Sequence, residues 1–253
     1  GPSGDISASL SNFTKSTDRN YSVLFTPQNQ GTTTLFVPAG AYTDAVGNNN
    51  VASNNFTVIV DTDPPTVAIT AANQDDQVVS GSTTNDPSLT LFFTSPKQIA
   101  DNTFTSSDIT VVNGAISGFT KLNNTTYTGF FTPDISIGSC RINIAAGVYQ
   151  SLGAGNGNLA ATEFVWNVDT TEPTMNITAT KLNGTTPITS GSTTNDESVI
   201  LTFTSNKAIT TFGIDDITRT NGTFSGFTTI SPTVYRVTLN RLGAGNPYNV
   251  SVA

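Results

Sequence analysis

The 253-residue chain contains no histidine and has only one cysteine, one methionine and one tryptophan. Histidine is the usual general base and a common zinc ligand, so its absence argues against a serine-type triad and most zinc sites. One cysteine cannot form an internal disulfide. We therefore expect a fold without a disulfide framework, a chain that requires no cofactor, and a protein that is not an enzyme.

Positive charge and long apolar runs are also scarce. Ten Lys and Arg residues stand against eighteen Asp and Glu residues, which gives a net charge of -8. Such an acidic surface repels phosphate backbones, so nucleic acid is not an expected partner. No apolar run approaches the ~18 residues of a membrane-spanning helix, so we predict no membrane span in this segment.

Uncharged polar residues dominate the chain, with 45 Thr, 24 Ser and 26 Asn. Threonine favours strands, as do Val, Phe and Tyr, whereas Asn, Ser, Gly and Pro favour turns. The fifteen Phe and six Tyr argue against a disordered chain. The composition predicts an all-β protein that is secreted or exposed at a cell surface.

Several blocks of sequence recur at a spacing of about 108 residues. The segment DTDPPT at 61–66 returns as DTTEPT at 169–174, and SGSTTND at 80–86 returns unchanged at 190–196. Recurrence of many blocks in one order is the signature of a repeat architecture.

The first sixty residues match the second half of the repeat, since YSVLFTP in this part corresponds to YTGFFTP in the complete copy. We divide the chain into the C-terminal part of one repeat (1–60), a complete repeat (61–168) and the N-terminal part of a third (169–253). Both ends fall inside a repeat, so we expect an excerpt of a longer array or filament. Flanking repeats or neighbouring copies would complete the partial units by strand addition.

The complete repeat contains seven short runs of alternating polar and apolar residues. We predict strands at 66–70, 88–94, 109–112, 116–122, 125–131, 141–145 and 163–168. Alternation places Phe164, Trp166 and Val168 on one face, and turn residues separate the runs as in a β-sandwich. Seven strands in about 108 residues is the size of an immunoglobulin-like domain. The predicted fold is all-β, with tandem immunoglobulin-like β-sandwich repeats of about 108 residues.

The order of the motifs DTTxPT, STTND, LTFTS, DIT, NGTFSGF and AGAYTDxxGN resembles the bacterial Ig-like repeats of large surface proteins and adhesins. Similar repeats occur in long eukaryotic and viral surface proteins. The resemblance implies an extracellular structural or adhesive stalk. The alternative is a module that binds carbohydrate or a host protein through exposed loops such as 45–50 and 153–158.

The junction between repeats is a candidate calcium site, as the resemblance also implies for some relatives. Asp61 and Asp63, with Asp44 in a nearby loop, would supply hard oxygen ligands, and Asp169 occupies the next junction. In that junction Thr171 replaces the second aspartate. The alternative is that Asp61 and Asp169 only cap turns by accepting backbone hydrogen bonds.

Nine glycosylation sequons give a second kind of candidate site. They are at Asn12, Asn20, Asn55, Asn123, Asn124, Asn176, Asn183, Asn221 and Asn249. Roughly seven such motifs would arise from this composition by chance, so the count alone proves nothing. A threonine-rich, lysine-poor surface nevertheless suits a cover of glycans.

Two pairs of acids, Asp75–Asp76 and Asp215–Asp216, have the residue types that flank a glycosidic bond in hydrolases. We interpret them as solvated loop acids, because a string of small sandwiches rarely provides a catalytic cleft. Cys140 shares its strand parity with Ile142 and Ile144, which predicts a buried and unreactive thiol.

Overall fold

A computed structural model describes residues 7–74, 76–243 and 249–252 of the chain. Strands account for 52% of the residues and helices for 2%, which confirms the all-β prediction. The chain divides into two compact units, residues 1–170 and residues 171–253. The three-part division at residues 60 and 168 stays a prediction.

The described residues of the first unit form thirteen strands and one short 3-10 helix, Ser106–Asp108, before the ninth strand. The strands are β1 (Ala8–Lys15), β2 (Tyr21–Pro27), β3 (Gly31–Leu35), β4 (Phe56–Val60), β5 (Ala68–Ala72), β6 (Gln77–Val78), β7 (Thr83–Thr84), β8 (Leu89–Thr94), β9 (Ile109–Val112), β10 (Gly114–Asn123), β11 (Thr126–Pro133), β12 (Ile137–Ile144) and β13 (Phe164–Asp169).

The core of this unit lies between two sheets with strand orders β10-β11-β8-β5-β6 and β7-β13-β12-β9. The predicted alternation is confirmed, because Phe164, Trp166 and Val168 all point into the core. Trp166 meets Phe131 of the opposite sheet edge to face, with ring centroids 4.6 Å apart. Strand β13 pairs antiparallel with β12 and parallel with β7, so both of its edges are hydrogen-bonded within the sheet.

Strands β1 to β4 form two antiparallel hairpins, β1–β2 and β3–β4. Their apolar side chains are mostly exposed, although Phe13 stacks on Tyr21 with ring centroids 5.6 Å apart. Residues 7–60 therefore contribute strands to the first unit but no member of its buried core.

In the second unit, the part of the chain that the structure describes forms seven strands and the 3-10 helix Ile214–Asp216. The strands are β14 (Met175–Lys181), β15 (Pro187–Ile188), β16 (Ser198–Ser205), β17 (Ile217–Thr220), β18 (Gly222–Ser231), β19 (Val234–Arg241) and β20 (Asn249–Val252). One sheet has the order β15-β14-β16-β19-β18, and β17 pairs with β20. The buried core is smaller here and centres on Phe203, Tyr235 and Val237.

The same hairpin, with the same irregularity, occurs three times. The register of β1–β2, β10–β11 and β18–β19 shifts directly after a serine, at Ser11, Ser117 and Ser225 respectively. A left-handed residue follows each serine, namely Asn12 (φ 51°), Gly118 (φ 59°) and Gly226 (φ 62°). Glycine and asparagine adopt positive φ at the least steric cost, which explains the residue types at the bulge.

Within the described residues, no helix has both the length and the apolar character of a membrane span.

Candidate functional site

The segment that leads into β5 is bound by a lysine. Lys97 Nζ donates to the two carboxylate oxygens of Asp61, at 2.8 and 2.9 Å, and to the carbonyl oxygen of Asp63 at 2.8 Å. Asn156 Nδ2 donates to the backbone carbonyl oxygens of Asp61 and Asp63, at 2.9 and 3.2 Å. We call Lys97, Asn156, Asp61 and Asp63 the lysine site. It ties the leading segment of the repeat to two loops of its own sandwich.

Local structure positions both donors of the lysine site. Lys97 lies just beyond the end of β8, where its backbone N–H donates to the buried Ser95 Oγ at 3.2 Å. Asn156 lies in a loop closed by Ser151, whose Oγ accepts from the Asn156 N–H at 3.1 Å. The two side chains therefore converge on residues 61–63 because each lies in a loop that a serine side chain holds in place.

The charge of Lys97 stabilises the ionised form of Asp61. Its hydrogen bond is the main reason that the pKa of Asp61 lies below the ordinary 3.8, and the Asp63 N–H, at 3.0 Å, lowers that pKa further. Both side chains are only partly exposed, at 29% for Lys97 and 22% for Asp61. Solvent therefore screens the attraction between these two charges less than it would in a fully exposed pair.

The predicted calcium ligands lie in different surroundings. Asp63 Oδ2 accepts from Gln30 Nε2 at 2.8 Å, and Asp169 ends β13 opposite Ile137. Asp44 closes its own loop, accepting from the N–H groups of Val46 and Asn48 and from Asn48 Nδ2. These bonds, above all those from Asn48, lower the pKa of Asp44.

The donor set of the lysine site fits a metal ion poorly. An ammonium group already contacts three oxygens there, and calcium would have to displace it from Asp61. In the described parts of the chain, no group of three or more Asp, Glu, His or Cys side chains is arranged to hold a metal. Calcium binding at the junctions stays a prediction.

A lysine occupies the equivalent place in the second unit. Lys207 lies beyond the end of β16 and donates to the carbonyl oxygen of Thr171 at 2.6 Å and to the Thr171 hydroxyl. Thr171 is the equivalent of Asp63 in the complete repeat, 61–168. Sequence analysis missed both lysines, although their recurrence within one aligned block, in a chain with only ten Lys and Arg, was an available signal.

The glycosylation candidates all have exposed side chains, from Asn12 in β1 to Asn249 in β20. Asn183 is the most constrained by its own turn, since Oδ1 accepts from the N–H groups of Thr185 and Thr186 and Nδ2 donates to Thr186 Oγ1 at 2.8 Å. Exposure is the first requirement for modification of an asparagine. Glycosylation itself stays a prediction.

The acid pairs have local structural contacts. Asp216 Oδ2 accepts from the Gly213 N–H at 2.8 Å, and the equivalent Asp108 Oδ2 accepts from the Thr105 N–H at 2.7 Å. Each aspartate thus caps a 3-10 helix that precedes a strand whose first residue, Ile109 or Ile217, is buried. Asp76 donates its N–H to Asn73 Oδ1 at 2.7 Å, whereas Asp75 lies outside the described residues.

Cys140 is fully buried in β12, as its parity predicted. Burial raises the pKa of the thiol, and its Sγ lies 3.4 Å from the carbonyl oxygen of Asn113. A buried thiol with a raised pKa is a weak nucleophile, so Cys140 serves as a small core residue.

Two solved structures of bacterial proteins resemble the chain at low sequence identity. The FdeC structure, described as that of an Escherichia coli adhesin, is 14% identical with a TM-score of 0.41, and the alignment covers 96% of this chain and 76% of the chain in that structure. Invasin, described as a bacterial integrin-binding protein, is 14% identical with a TM-score of 0.33, and the alignment covers 92% of this chain and 44% of invasin. No curated protein sequence matches the chain.

A family of known domains matches the middle of the chain. The match spans residues 61–167, the segment that contains the closed two-layer core and the lysine site. It confirms the resemblance that the recurring motifs suggested. Residues 61–167 thus match the family described as bacterial Ig-like domain.

Proposed function

We propose that the chain is part of an extracellular stalk at a cell surface, built from Ig-like units in series and able to hold an adhesive end away from that surface. The observation that carries this proposal is the recurrence of one strand register along the chain. Ile69 pairs with Phe93 as Ile177 pairs with Phe203, and each phenylalanine also pairs with a tyrosine of its own unit, Tyr127 or Tyr235. Units with the same internal register are suited to serial repetition.

The lysine site supports a mechanical role. A stalk transmits force through the segment that leads into each repeat, and for the repeat predicted at 61–168 that segment contains Asp61 and Asp63. Lys97 and Asn156 bind this segment to the body of the sandwich at four oxygen atoms. Tension on the leading segment is therefore carried partly by these contacts before it reaches β5.

The surface composition supports an extracellular setting. Threonine-rich strand faces are exposed, and the nine sequon asparagines are accessible for glycans. Glycans on such positions would keep a weakly charged rod soluble and separated from neighbouring rods. We therefore include glycosylation of this surface in the proposal.

Single-molecule stretching of the full chain tests the mechanical part. We expect residues 61–168 to unfold in one discrete event that lengthens the chain by roughly 350 Å, from about 3.3–3.6 Å for each extended residue. Extension at low force without a discrete event would contradict a stalk function. Antibody labelling of intact source cells tests the location, and labelling that requires lysis would contradict surface exposure.

A further inference from the structure

The outer side of one sheet in the first unit carries no charged side chain. The sheet has the order β10-β11-β8-β5-β6, and Lys121 is the single Lys, Arg, Asp or Glu within these five strands. Lys121 is opposite the buried Tyr127, so it lies on the inner side of the sheet, where its Nζ contacts Asp101. By contrast, the outer side of the other sheet carries Arg141, which lies 3.5 Å from Glu163. In a chain with a net charge of -8, the uncharged side stands apart from the rest of the surface.

Threonine and phenylalanine are the main residues on this outer side. Outward threonines lie on four adjacent strands, and two phenylalanines lie among them. The positions that matter below are Thr70, Thr90, Thr120, Thr128, Phe92 and Phe130. We call the outer side of this sheet the phenylalanine face.

The two phenylalanine rings are neighbours on adjacent strands. Phe92 is opposite Thr128, which comes two residues before Phe130, so the two phenylalanines are diagonal partners with Cα atoms about 7–8 Å apart. Phe92 is half-buried, and Phe130 is 52% exposed. A Cβ at Gly118 would lie 3.1 Å from Phe130 Cδ2 and 3.4 Å from Cε2. The Phe130 ring therefore rests against the backbone bulge of the β10–β11 hairpin, which restricts its rotation.

The fold does not require either ring. In the second unit, Thr202 and Thr238 are the equivalents of Phe92 and Phe130, although the strands pair there in the same register. A Cβ at Gly226, which is the equivalent of Gly118, would meet no atom within 4 Å. Exposed aromatic residues that the same fold can replace with threonine indicate a binding surface rather than a structural need.

We infer that the phenylalanine face binds an uncharged polysaccharide. A sugar ring has an apolar C–H side that stacks on an aromatic ring, and hydroxyl groups around its rim that form hydrogen bonds. Phe92 and Phe130 supply two aromatic contacts, and the surrounding threonine hydroxyls both donate and accept. A face without charge suits a neutral ligand, because a charged side chain covered by the sugar would lose its hydration. This interaction goes beyond the proposed function, since it gives the stalk a ligand along its own side.

A protein partner fits this face less well. The residues that contribute most to protein interfaces are enriched in Trp, Tyr and Arg, whereas threonine is under-represented among them. Two phenylalanines bury about 200 Å² each when fully covered. A stable protein interface covers about 800 Å² on each partner, so most of such a contact would fall on hydroxyl groups.

Affinity electrophoresis of the full chain tests the inference. Native gels are cast with hydroxyethyl cellulose, galactomannan or dextran, and the migration at several polysaccharide concentrations gives the Kd. We expect at least one of these neutral polymers to slow the protein. The double variant Phe92→Thr with Phe130→Thr introduces the residues of the second unit, and we expect it to bind about tenfold more weakly because two stacking contacts are lost.

Two further variants separate stacking from a general change of the surface. Val112→Thr removes a partly exposed apolar side chain from the outer side of the other sheet and should leave the Kd unchanged. Phe130→Tyr keeps the aromatic ring and should retain binding. Circular dichroism and the emission of Trp166 confirm that each variant is folded.

Unchanged migration in all three gels, or equal slowing of the wild type and the double variant, overturns the inference. Sedimentation without polysaccharide checks for self-association. A dimer that the wild type forms and the double variant does not would assign the face to a second copy and would also overturn the inference. None of these results affects the single-molecule unfolding event, so this inference and the stalk function fail separately.

Discussion

Asn158 Oδ1 accepts a hydrogen bond from the backbone N–H of Tyr149 at 2.9 Å, and both residues are almost completely buried. The same oxygen accepts from the Val148 N–H at 2.8 Å, while Nδ2 donates to the carbonyls of Ala145 and Leu159 at 2.8 and 2.7 Å. One amide therefore satisfies four backbone groups and holds the tyrosine hairpin in the core.

Replacing Asn158 with alanine removes these four hydrogen bonds, and the N–H groups that lose their partner include those of the buried Tyr149 and the half-buried Val148. We expect the free energy of unfolding to fall by about 3 kcal/mol, since each unsatisfied buried group costs about 1 kcal/mol or more. Urea unfolding followed by tryptophan fluorescence measures the change, because Trp166 is the single tryptophan and lies in this core.

Asn50 is the matched control for this substitution. It accepts from the Tyr42 N–H at 3.0 Å and donates to the carbonyls of Pro38 and Val51, but its hairpin is exposed. Asn50→Ala should leave the Trp166 transition unchanged. A shift as large as that of Asn158→Ala would show that the hairpin of residues 38–51 is coupled to the core.

Gly114 and Gly222 allow close packing at equivalent places in the two units. A Cβ at Gly114 would lie 2.2 Å from Phe131 Cζ and 2.7 Å from the Thr132 carbonyl oxygen, whereas at Gly222 the nearest atom, 2.5 Å away, is the flexible end of Leu239. We expect Gly114→Ala to destabilise its unit by about 3 kcal/mol and Gly222→Ala by about 1 kcal/mol, from the typical range for overpacking.

Hydrogen exchange of the full chain separates these two effects, because the amides of each core report on their own unit. Gly114→Ala should also shift the emission of Trp166, which packs on Phe131. Equal losses for the two glycine variants would contradict the idea that the rigidity of the neighbouring ring sets the cost.

The lysine site predicts a specific dependence of stability on pH. Because Lys97 lowers the pKa of Asp61 in the folded protein, Asp61 contributes stability above its unfolded pKa. That contribution is lost as the pH falls through the folded value, below 3.8. We expect Lys97→Met to destabilise the first unit at pH 7 and to reduce this acid-induced loss.

The urea concentration at the midpoint of unfolding, followed by Trp166 fluorescence between pH 2.5 and pH 7, measures this difference. Lys121→Met is a suitable control, because Lys121 pairs with Asp101, whose side chain is 76% exposed. Parallel pH profiles for wild type and Lys97→Met would contradict the assigned role of Lys97.

Lys97 and calcium should compete for the same oxygens. In the wild type, we expect chelation to leave the Trp166 transition unchanged, because the ammonium group already contacts Asp61 and Asp63. In Lys97→Met, those oxygens lack their cation, and millimolar calcium should raise the urea midpoint. Isothermal titration with calcium checks the affinity directly, and tighter binding by the wild type would contradict competition.

Strand positions could be predicted from the sequence because polar and apolar residues alternate within short runs and these runs recur along the chain. The predicted runs at 109–112 and 163–168 correspond to β9 and β13. The two-residue strands β6 and β7 were not predicted, since two residues are too few to show a period. Lys97 and Asn156 were missed for a different reason: they contact Asp61 across 36 and 95 residues, distances over which no local pattern acts.

The bulge that follows Ser11, Ser117 and Ser225 has a practical consequence for recognising this unit elsewhere. Only glycine or asparagine occupies the left-handed position in these hairpins, always at the same distance ahead of Tyr21, Tyr127 or Tyr235. Many residues can replace a threonine on an exposed strand face, whereas few side chains tolerate a left-handed backbone angle. A search keyed to this small residue and its tyrosine should detect distant copies after the strand sequences themselves have become unrecognisable.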